Sequence, residues 1–522
     1  MGSISTPHSL VESAINHGTA PLVFALAGIA LYSLSYVVYN LFLHPLRSHP
    51  GPLLWRMSRI PYDYHSFYGT LPNILREFHE KYGPVVRIAP TELSYTDSRV
   101  WKEVWGARNP EWPKDSGKVP RAPNGAFGIL NAPTDIHARF RRLLAHAFSE
   151  KGLKDQQPRI QEYVDLLVDR LGEKAKTGEA TDIVDWYTNT VFDVIGDLAF
   201  GESFDGLKER RVHEWIPAIL GSVKYTFQAG VVTRHRLQWF QKYLLDDSAI
   251  KGRARNYRLA ADKVNQRAAL GGERGDFWDR VLIKSKDENK AGDGMTQDEM
   301  VNNAAVLILG GAETSATTLS GTTYLLLTHP KVYKKLVHEI RSTFISSSEI
   351  DVYSVTKLHY MLATLDEAMR IYPPVPDAAS RVPPIGGGTI LNQYIPEGTA
   401  IHIPQLATNH MVSNFHRPDD FCPERWLQGA DRPQEFAKDE KAAFQPFTVG
   451  NRNCIGRNLA YAEMRLVLAK VLFNFDLEMD ERSRGSDWFD QKAWGVWNKG
   501  PLYMGLRLRI SCTGTELGST PD

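Results

Sequence analysis

The sequence predicts a mainly α-helical protein with a minor β part, formed as one large domain behind an N-terminal membrane helix. First, the segment from Pro21 to Leu43 carries no charged residue and is long enough to cross a hydrocarbon layer of about 30 Å. Second, apolar residues recur at helical spacing through most of the remaining chain, while strand signals are short and few. Third, the chain shows no internal repeat, and no linker divides residues 60–510.

Composition limits the possible function classes. The chain has 522 residues, a formal net charge of +1, 43% hydrophobic and 23% charged residues, so nothing indicates a nucleic-acid partner. HExxH, CxxC and Walker A motifs are absent, as is a GxGxxG after a strand. The three cysteines, Cys422, Cys454 and Cys512, are widely spaced and odd in number, which argues against a disulfide framework and for a reducing compartment.

The N-terminal segment is predicted to be a membrane anchor. The alternative is a signal peptide, but the apolar stretch is longer than a signal core and no basic residue precedes it. Arg47, Arg56 and Arg59 follow it, so the positive-inside rule places the rest of the chain in the cytosol. The predicted parts are a non-cytosolic segment (1–20), an anchor (21–43), a Pro-rich hinge (44–55), a large folded body (56–510) and a loose tail (511–522).

The first elements of the body have clear local signals. Residues 70–83 form a predicted helix with Pro72 in its first turn and Gly83-Pro84 at its end. Residues 85–95 predict two short strands around Pro90, and 137–148 predict a helix with one basic face. The pattern then stays mostly helical to about residue 345, apart from the polar loop at 284–294.

The next helix is predicted to be long and weak at its centre. Thr296 and Glu299 form a capping box at its start, and Pro330 follows its end at Thr328. Gly310 and Gly311 lie in the middle, where each glycine costs about 1 kcal/mol relative to alanine. A shorter helix over 356–371, strands at 390–395 and 399–403, and a last long helix over 457–475 complete the body.

Cys454 lies in the glycine-bearing loop "FTVGNRNCIG" (447–456), just before the last helix. Free amides at a helix N-terminus and the nearby Arg452 favour an anion, so we expect the pKa of the thiol to fall. A zinc site would need three more ligands, which the cysteines cannot supply. A lone thiolate suits a metal that takes one protein ligand, such as haem iron. The alternative is a structural, buried cysteine.

The spacing of Phe447, Gly450, Arg452, Cys454 and Gly456 resembles the haem-binding loop of the cytochrome P450 family. The resemblance extends over roughly residues 45–510 and implies the cytochrome P450 fold. It implies haem b with Cys454 as the axial ligand of the iron. The two glycines would let the backbone approach the haem, and the phenylalanine would cover the sulfur.

Two further segments match the same family. Glu367 and Arg370 resemble its ExxR pair, and Arg425 in "PERW" resembles the third member of that buried structural cluster. Taken alone, Glu367 and Arg370 would be an ordinary i,i+3 surface pair. The segment Gly310–Thr314 resembles the oxygen-binding part of the long helix, with Glu313 and Thr314 as the catalytic acid–alcohol pair that delivers protons. The alternative for Thr314 is a plain helix residue bonded to its i−4 carbonyl.

The resemblance also implies cationic partners for the two haem propionates. These are Arg452, Arg381, His137 and Arg141, and the family often has tryptophan where this chain has His137. Solvated surface charge is the alternative for such residues. The basic helix that carries them, with Arg139 and Arg142, would face the electron donor. The predicted walls of the substrate pocket include Phe127, Phe227, Gly310, Gly311, Val375 and Trp494.

The resemblance implies a monooxygenase that inserts one oxygen atom from O₂ into an apolar small molecule, a terpenoid or polyketide of secondary metabolism. Electrons would come from NADPH through a diflavin reductase, and the protein would sit in the endoplasmic reticulum membrane as a single-pass protein. Segments such as "YNLFLHPLRSHPGP" and "VWNKGPL" are similar to fungal microsomal members, among them hydroxylases of trichothecene pathways. The alternatives are a haem-thiolate isomerase, dehydratase or lyase that does not use O₂, and a non-enzymatic membrane haem-binding protein.

Overall fold

The computed structural model describes residues 7–107, 110–115, 122–271, 274–285, 293–485 and 487–509. Cys512 and the predicted tail lie outside these ranges. Helices dominate the described chain. In chain order they are α1 (Pro7–Val38), α2 (Leu53–Met57), α3 (Ile60–Tyr68), α4 (Leu71–Tyr82), α5 (Thr134–Leu144), α6 (Glu150–Thr177), α7 (Ile183–Phe200), α8 (Gly206–Glu209), α9 (Trp215–Arg234), α10 (Gln241–Leu244), α11 (Asp247–Leu270), α12 (Asp279–Ser285), α13 (Gln297–Ile308), α14 (Thr314–Thr328), α15 (Pro330–Thr343), α16 (His359–Ile371), α17 (Gln405–His410) and α18 (Arg457–Asn474).

The strands are short and form small sheets at the edges of the helical body. The strands are β1 (Val85–Ala89), β2 (Glu92–Tyr95), β3 (Thr181–Asp182), β4 (Gly388–Ile390), β5 (Gln393–Ile395), β6 (Ala400–His402), β7 (Phe475–Met479), β8 (Ala493–Trp494), β9 (Val496–Trp497) and β10 (Tyr503–Leu508). In one sheet, β2 pairs antiparallel with β1 and parallel with β6, and in another β10 lies between β3 and β7. The described residues also form two two-stranded ladders, β4–β5 and β8–β9. The predicted mainly α fold with a minor β part is confirmed.

The N-terminal helix is long and apolar enough to cross a membrane over Leu22–Leu43, with a mean hydropathy of 1.9. Its last turn, Tyr39–Leu43, is π-helical and packs on the body. Asn40 is buried there: its side-chain amide donates to the Met57 carbonyl at 3.2 Å, and its carbonyl accepts from Arg87 Nη1 at 2.8 Å. The end of the anchor is therefore docked on the body.

The helix predicted over 296–328 is interrupted at its centre. The capping box is present, because the Thr296 hydroxyl accepts from the Glu299 amide at 3.2 Å and Glu299 Oε2 accepts from the Thr296 amide at 2.9 Å. However, α13 and α14 are joined by a π-helical turn over Leu309–Glu313, so the prediction of one uniform α-helix was wrong there. Paired glycines tolerate this wider turn, and such turns often mark functional sites.

Other boundaries agree with local signals and differ by a few residues at the ends. Helix α4 ends at Tyr82, and Gly83, whose φ of 92° suits glycine, follows it at the predicted stop. Helix α16 begins at His359 instead of residue 356, because a 3₁₀ turn over Ser354–Lys357 precedes it. The main hydrophobic core is built largely from α6, α7, α13, α14, α16 and α18, and it supports the chamber described next.

Candidate active site

A cavity of about 660 Å³ lies at the centre of the helical body. Helices α9 and α11 form one wall, α13 and the π-helical turn form a second, and the loop before α18 forms a third. We call this cavity the central chamber. Its lining is mostly apolar and includes Phe227, Val306, Gly310, Thr314, Val375 and Cys454.

The loop before α18 presents Cys454 to the central chamber. The Cys454 amide donates to the Phe447 carbonyl at 2.9 Å, which closes the loop. Gly450 has a φ of 77°, and a Cβ on it would lie 2.1 Å from the Trp105 carbonyl oxygen. Only glycine therefore allows the loop to approach the π-helical turn Trp101–Trp105 so closely.

The predicted drop in the pKa of Cys454 is not what the protein alone produces. Burial raises the pKa of the Cys454 thiol, and this effect exceeds the opposite effects of the Gly456 amide and the Arg141 guanidinium. The helix start and the nearby cation act in the predicted direction, but desolvation of a thiolate opposes them more strongly. A bound metal cation is the partner that deprotonates a thiol in such surroundings.

Several cations line the central chamber beside the cysteine loop, and Glu111, which is not part of the lining, pairs with two of them. Arg452 Nε donates to Glu111 Oε1 at 2.7 Å, and Arg381 Nη1 lies 3.4 Å from the same oxygen. Lys114 also lines the chamber, and burial together with Arg381 and Arg452 lowers the pKa of its ammonium to about 7. Sequence reasoning missed Glu111 and Lys114, because neither has a local motif.

His137 and Arg141, both on α5, also line the central chamber. Burial, then Arg452 and Lys114, lowers the pKa of His137 to about 4, so its ring is neutral at pH 7 and can donate one N–H. Arg141 Nη1 donates to the Asn453 carbonyl at 2.6 Å, and Nη2 donates to the Asn453 side chain at 2.8 Å. Arg141 therefore also holds the residue next to Cys454 in place.

This wall fits a metal cofactor that carries carboxylates. The buried Nε of Arg381 has no hydrogen-bond partner among the described residues. A Cβ on Gly310 would meet no atom within 4 Å, so that glycine faces open space in the central chamber. In the described part of the chain, no group of three or more His, Cys, Asp or Glu could hold a metal ion, which leaves a single-cysteine site as the fitting type.

The predicted oxygen-binding segment has two different glycines. Gly310 opens to the central chamber, whereas a Cβ on Gly311 would lie 2.7 Å from Ile195 Cδ1, so Gly311 packs against α7. The Thr314 hydroxyl donates to the Gly310 carbonyl at 2.7 Å, the local i−4 bond that was the alternative for this residue. Thr314 nevertheless lines the chamber.

The resemblance predicts that Glu313 is the acid of the acid–alcohol pair with Thr314. In the structure its side chain is buried and bonded to Lys499. Its carboxylate is 2% exposed, and Oε2 accepts from Lys499 Nζ at 2.6 Å; the Lys499 side chain is 5% exposed. Lys499 lies between β9 and β10, far from Glu313 in sequence. The two predicted catalytic residues are adjacent in the chain, but each is bonded to a different partner.

The structure brings Glu367, Arg370 and Arg425 together in a fully buried cluster. Arg370 Nε and Nη2 donate to the two Glu367 oxygens at 2.9 and 2.8 Å, and Arg425 Nε donates at 2.9 Å. Burial alone would raise the pKa of Glu367, but the two guanidinium groups hold it below its usual value. Trp426 and Asp439 complete the cluster, and sequence reasoning missed both.

Another buried carboxyl, Glu463 on α18, lines the central chamber. Burial raises the pKa of Glu463 to about 8. The Ser315 hydroxyl, next to Thr314, lies 3.5 Å from Glu463 Oε2. This carboxyl is therefore mostly neutral at pH 7 and links α14 to the helix that follows the cysteine loop.

Comparison with known proteins identifies the family. A cytochrome P450 family model matches residues 48–504. The chain belongs to the cytochrome P450 family. It is 46% identical over 492 residues to averantin hydroxylase of Dothistroma septosporum, covering 94% of this chain and 92% of that protein. It is 45% identical over 480 residues to versicolorin B desaturase of Aspergillus parasiticus (92% and 95%), and 43% identical over 482 residues to cytochrome P450 monooxygenase vrtK of Penicillium aethiopicum (91% and 89%).

These findings confirm the fold and enzyme predictions. The chain is a cytochrome P450 monooxygenase related to fungal enzymes of secondary metabolism, and its chemistry uses haem iron, O₂ and electrons from a redox partner. The alternative of a non-enzymatic haem-binding protein is therefore wrong. The apolar N-terminal helix is consistent with membrane anchoring of this P450.

The predicted wall residues of the P450 fall into two groups. Phe227, Val375, Gly310 and Gly311 line the central chamber, whereas Phe127 and Trp494 do not. Phe127 packs against the main core instead. Trp494 is buried against Gly69 and donates Nε1 to the Phe67 carbonyl at 3.1 Å, while its neighbours Ala493, Gly495 and Val496 reach the chamber. Neighbouring residues of a short strand face opposite sides, and the side that faces inward is not evident from composition.

Proposed function

We propose that Cys454 is the protein ligand of the haem iron in this P450. The carrying observation is the convergence of one cysteine and several cations on the central chamber. Cys422 does not line the chamber; its amide instead donates to Glu367 at 2.9 Å. Haem supplies the activation of dioxygen, which amino-acid side chains cannot perform, and the protein supplies binding, orientation and proton transfer.

Arg381, Arg452 and Lys114 would hold the two haem carboxylates, with His137 donating one N–H. Glu111 already shares the two arginines, so the haem carboxylates join an existing charge network instead of meeting free cations. Charge-assisted bonds of this kind are stronger than neutral ones. Phe447, Gly450 and Gly456 would keep the cysteine loop close to the cofactor, and Glu367, Arg370 and Arg425 would support the loop from below.

Thr314 and Glu313 would form the proton path, with Lys499 as an outer member. The Thr314 hydroxyl is the proton-carrying group on the chamber side and must turn away from the Gly310 carbonyl to act. Glu313 lies outside the chamber lining, so its carboxylate reaches that path only if its bond to Lys499 opens or a water bridges the gap. Thr314 would thus form the chamber side of the proton path, and Glu313 with Lys499 would form its outer side.

The substrate is proposed to be an apolar terpenoid or polyketide of secondary metabolism. The support is the mostly apolar lining of the central chamber and the relatives' names. Averantin and versicolorin B, the compounds in those names, are the first substrates to test. The desaturase among the relatives makes removal of two hydrogens a second candidate reaction, because it needs the same cofactor and electron supply.

Two steps on the same protein test the assignment of Cys454 as the iron ligand and the proposed reaction. The reduced full-length protein is first mixed with carbon monoxide, and the expected result is a haem-thiolate difference spectrum that Cys454→Ser abolishes. The protein is then supplied with NADPH, a diflavin reductase and each candidate substrate, and products are analysed by mass spectrometry. A gain of one oxygen atom supports hydroxylation, and a loss of two hydrogens supports desaturation. A thiolate spectrum in Cys454→Ser would refute the ligand assignment, and product formed without NADPH would favour the lyase or isomerase alternative.

The body is proposed to rest on the cytosolic face of the endoplasmic reticulum membrane, reduced by a diflavin NADPH reductase at its basic α5 side. Arg142 is exposed there, whereas Arg139 is bonded to Glu299 at 2.6 Å and is less available than predicted. Two exposed apolar segments flank the docked anchor end and would contact lipid. They are formed by Leu53, Leu54, Ile60, Tyr64 and Tyr68, and by Leu237, Trp239, Phe240, Tyr243 and Leu244.

Tryptophan fluorescence tests this membrane orientation. Among the twelve tryptophans, all within the described residues, Trp239 alone is strongly exposed, at 74%. In vesicles of brominated lipid, the lipid should quench part of the tryptophan emission of the full-length wild type. The Trp239→Phe variant should lose that quenched part of the emission. Equal quenching of the two proteins would place this segment in water and contradict the orientation.

A further inference from the structure

Asp63 on α3 is a buried carboxylate shared by cations from two separate elements. It is 2% exposed. Arg59 Nε lies 3.3 Å from Asp63 Oδ1, and Arg234 at the end of α9 bonds the same oxygen. His235 Nε2 lies 2.9 Å from Asp63 Oδ2. Removing a buried charge from such a network normally leaves its partners without compensation. Asp63 therefore joins α3 to the end of α9.

This junction lies where the central chamber reaches the protein surface. Tyr62 and Ser66 of α3 line the chamber, as do Gly230, Val231 and Arg234 of α9. The Arg234 side chain also remains 30% exposed. Because Arg234 contacts both the chamber and the exterior, the gap between α3 and the end of α9 is an opening of the chamber, which we call the mouth. The bonds from Arg234 and His235 to Asp63 cross this mouth.

The two sides of the mouth are not equally fixed. On the α3 side, Arg59 also bonds Glu92, and Glu92 Oε2 accepts from His402 Nε2 at 2.9 Å. These bonds tie the start of α3 to β2 and β6. On the α9 side, Arg234 and His235 lie at the end of a helix, followed by exposed residues. Opening the mouth would therefore move the end of α9 and leave α3 in place.

We propose that Asp63 is a positioning residue that controls the entry of large ligands into the central chamber. Its bonds to Arg234 and His235 hold the mouth closed, and they break for a bulky molecule to pass and form again behind it. The inference rests on the proposed assignment of the chamber as the haem and substrate site. It assigns size selection to a residue that does not line the chamber and touches no reacting atom.

A gate has a kinetic signature that a binding contact does not have. It changes the barrier between the free and the ligand-bound protein without changing the difference in free energy between them. Association and dissociation rates therefore change by a similar factor. A ligand contact mainly changes the dissociation rate. Small ligands pass without opening the gate, so a small and a bulky ligand of the same chemistry separate the two roles.

The test is stopped-flow absorbance of the ferric, haem-loaded full-length protein, with imidazole as the small ligand and ketoconazole as the bulky one. The variants are Asp63→Asn and Arg234→Gln; the second removes only the more exposed partner if the first does not fold. Asp247→Asn is the control, because it breaks an exposed pair with Lys251 on α11. We expect ketoconazole association to be at least about tenfold faster in both mouth variants, with dissociation faster by a similar factor and imidazole rates unchanged.

Equal ketoconazole rates in the wild type and both mouth variants would overturn the proposal. Equal acceleration of imidazole would also overturn it, because it would indicate general loosening of the site. A third outcome is a wild-type protein with a normal carbon monoxide spectrum and variants that bind ketoconazole with a changed affinity but an unchanged association rate. This outcome would overturn the gate and make Asp63 a binding contact. A wild-type protein that binds neither ligand and has no thiolate spectrum would instead refute the proposed haem site itself.

Discussion

Replacing Glu463 by glutamine should remove a large pH dependence from the stability of the protein. Glu463 is buried on α18, and burial raises the pKa of its carboxyl to about 8 from its usual value of 4.5. Glutamine has nearly the same shape, keeps a hydrogen bond to the Ser315 hydroxyl and never ionises. A carboxyl that is neutral when folded should therefore be replaced with little loss at acid pH.

The sign and size follow from the two pKa values. Below pH 4.5 the carboxyl is protonated in both states, so it contributes no pH dependence. Between pH 4.5 and about 8 the unfolded chain ionises while the folded protein does not, so the free energy of unfolding falls as pH rises. Each pH unit in this window amounts to about 1.4 kcal/mol, so pH 5.5 and pH 7.5 differ by about 3 kcal/mol from this group alone.

The measurement is urea unfolding of the haem-loaded protein at pH 5.5, 6.5 and 7.5, with wild type and Glu463→Gln compared at each pH. The difference between them should grow by about 3 kcal/mol in favour of the variant from pH 5.5 to 7.5. Glu367→Gln is the matched control, because that carboxylate is held ionised by Arg370 and Arg425 and its loss should destabilise at every pH. Parallel pH profiles for wild type and Glu463→Gln would refute a neutral Glu463.

Two other predictions follow from contacts that the sequence did not indicate. Deleting residues 1–44 should lower the melting temperature more than deleting 1–38, because only the longer deletion removes the carbonyl that accepts from buried Arg87; equal melting temperatures would show that the docked end of the anchor adds no stability. Lys499→Met should fold and load haem but release more hydrogen peroxide per NADPH, as Thr314→Ala should; an unchanged ratio, measured with a peroxide dye and NADPH absorbance, would remove Lys499 from the proton path.

Local signals predicted the parts of the fold that depend on neighbouring residues. The capping box at Thr296, the glycine stop at Gly83 and the spacing around Cys454 each act within a few positions. The mainly α class followed from apolar periodicity along the chain. The same reasoning missed the π-helical turn at Gly310, because paired glycines indicate weakness in a helix without specifying how the backbone responds.

Contacts between distant segments were not predictable in this way. Lys499 and Glu313 are 186 positions apart, and Arg452 and Glu111 are 341 positions apart. Each of these residues alone resembles an ordinary surface charge. The direction of the Cys454 pKa was also missed, because helix dipoles are evident from sequence, while desolvation depends on how completely the fold encloses the sulfur.

Three buried glutamates illustrate how the fold gives similar side chains different surroundings. Glu367 is held ionised by two guanidinium groups, Glu313 is bonded to one ammonium, and Glu463 has a serine hydroxyl as its hydrogen-bond partner and stays mostly neutral at pH 7. In sequence all three are glutamates on apolar helices. Except for Arg370, which lies on the same helix as Glu367, their partners come from other segments, so the surroundings of each carboxyl depend on the tertiary structure. In the proposed proton path, the contribution of Glu313 would therefore depend on the distant cation that holds it, which is Lys499, as much as on its place beside Thr314.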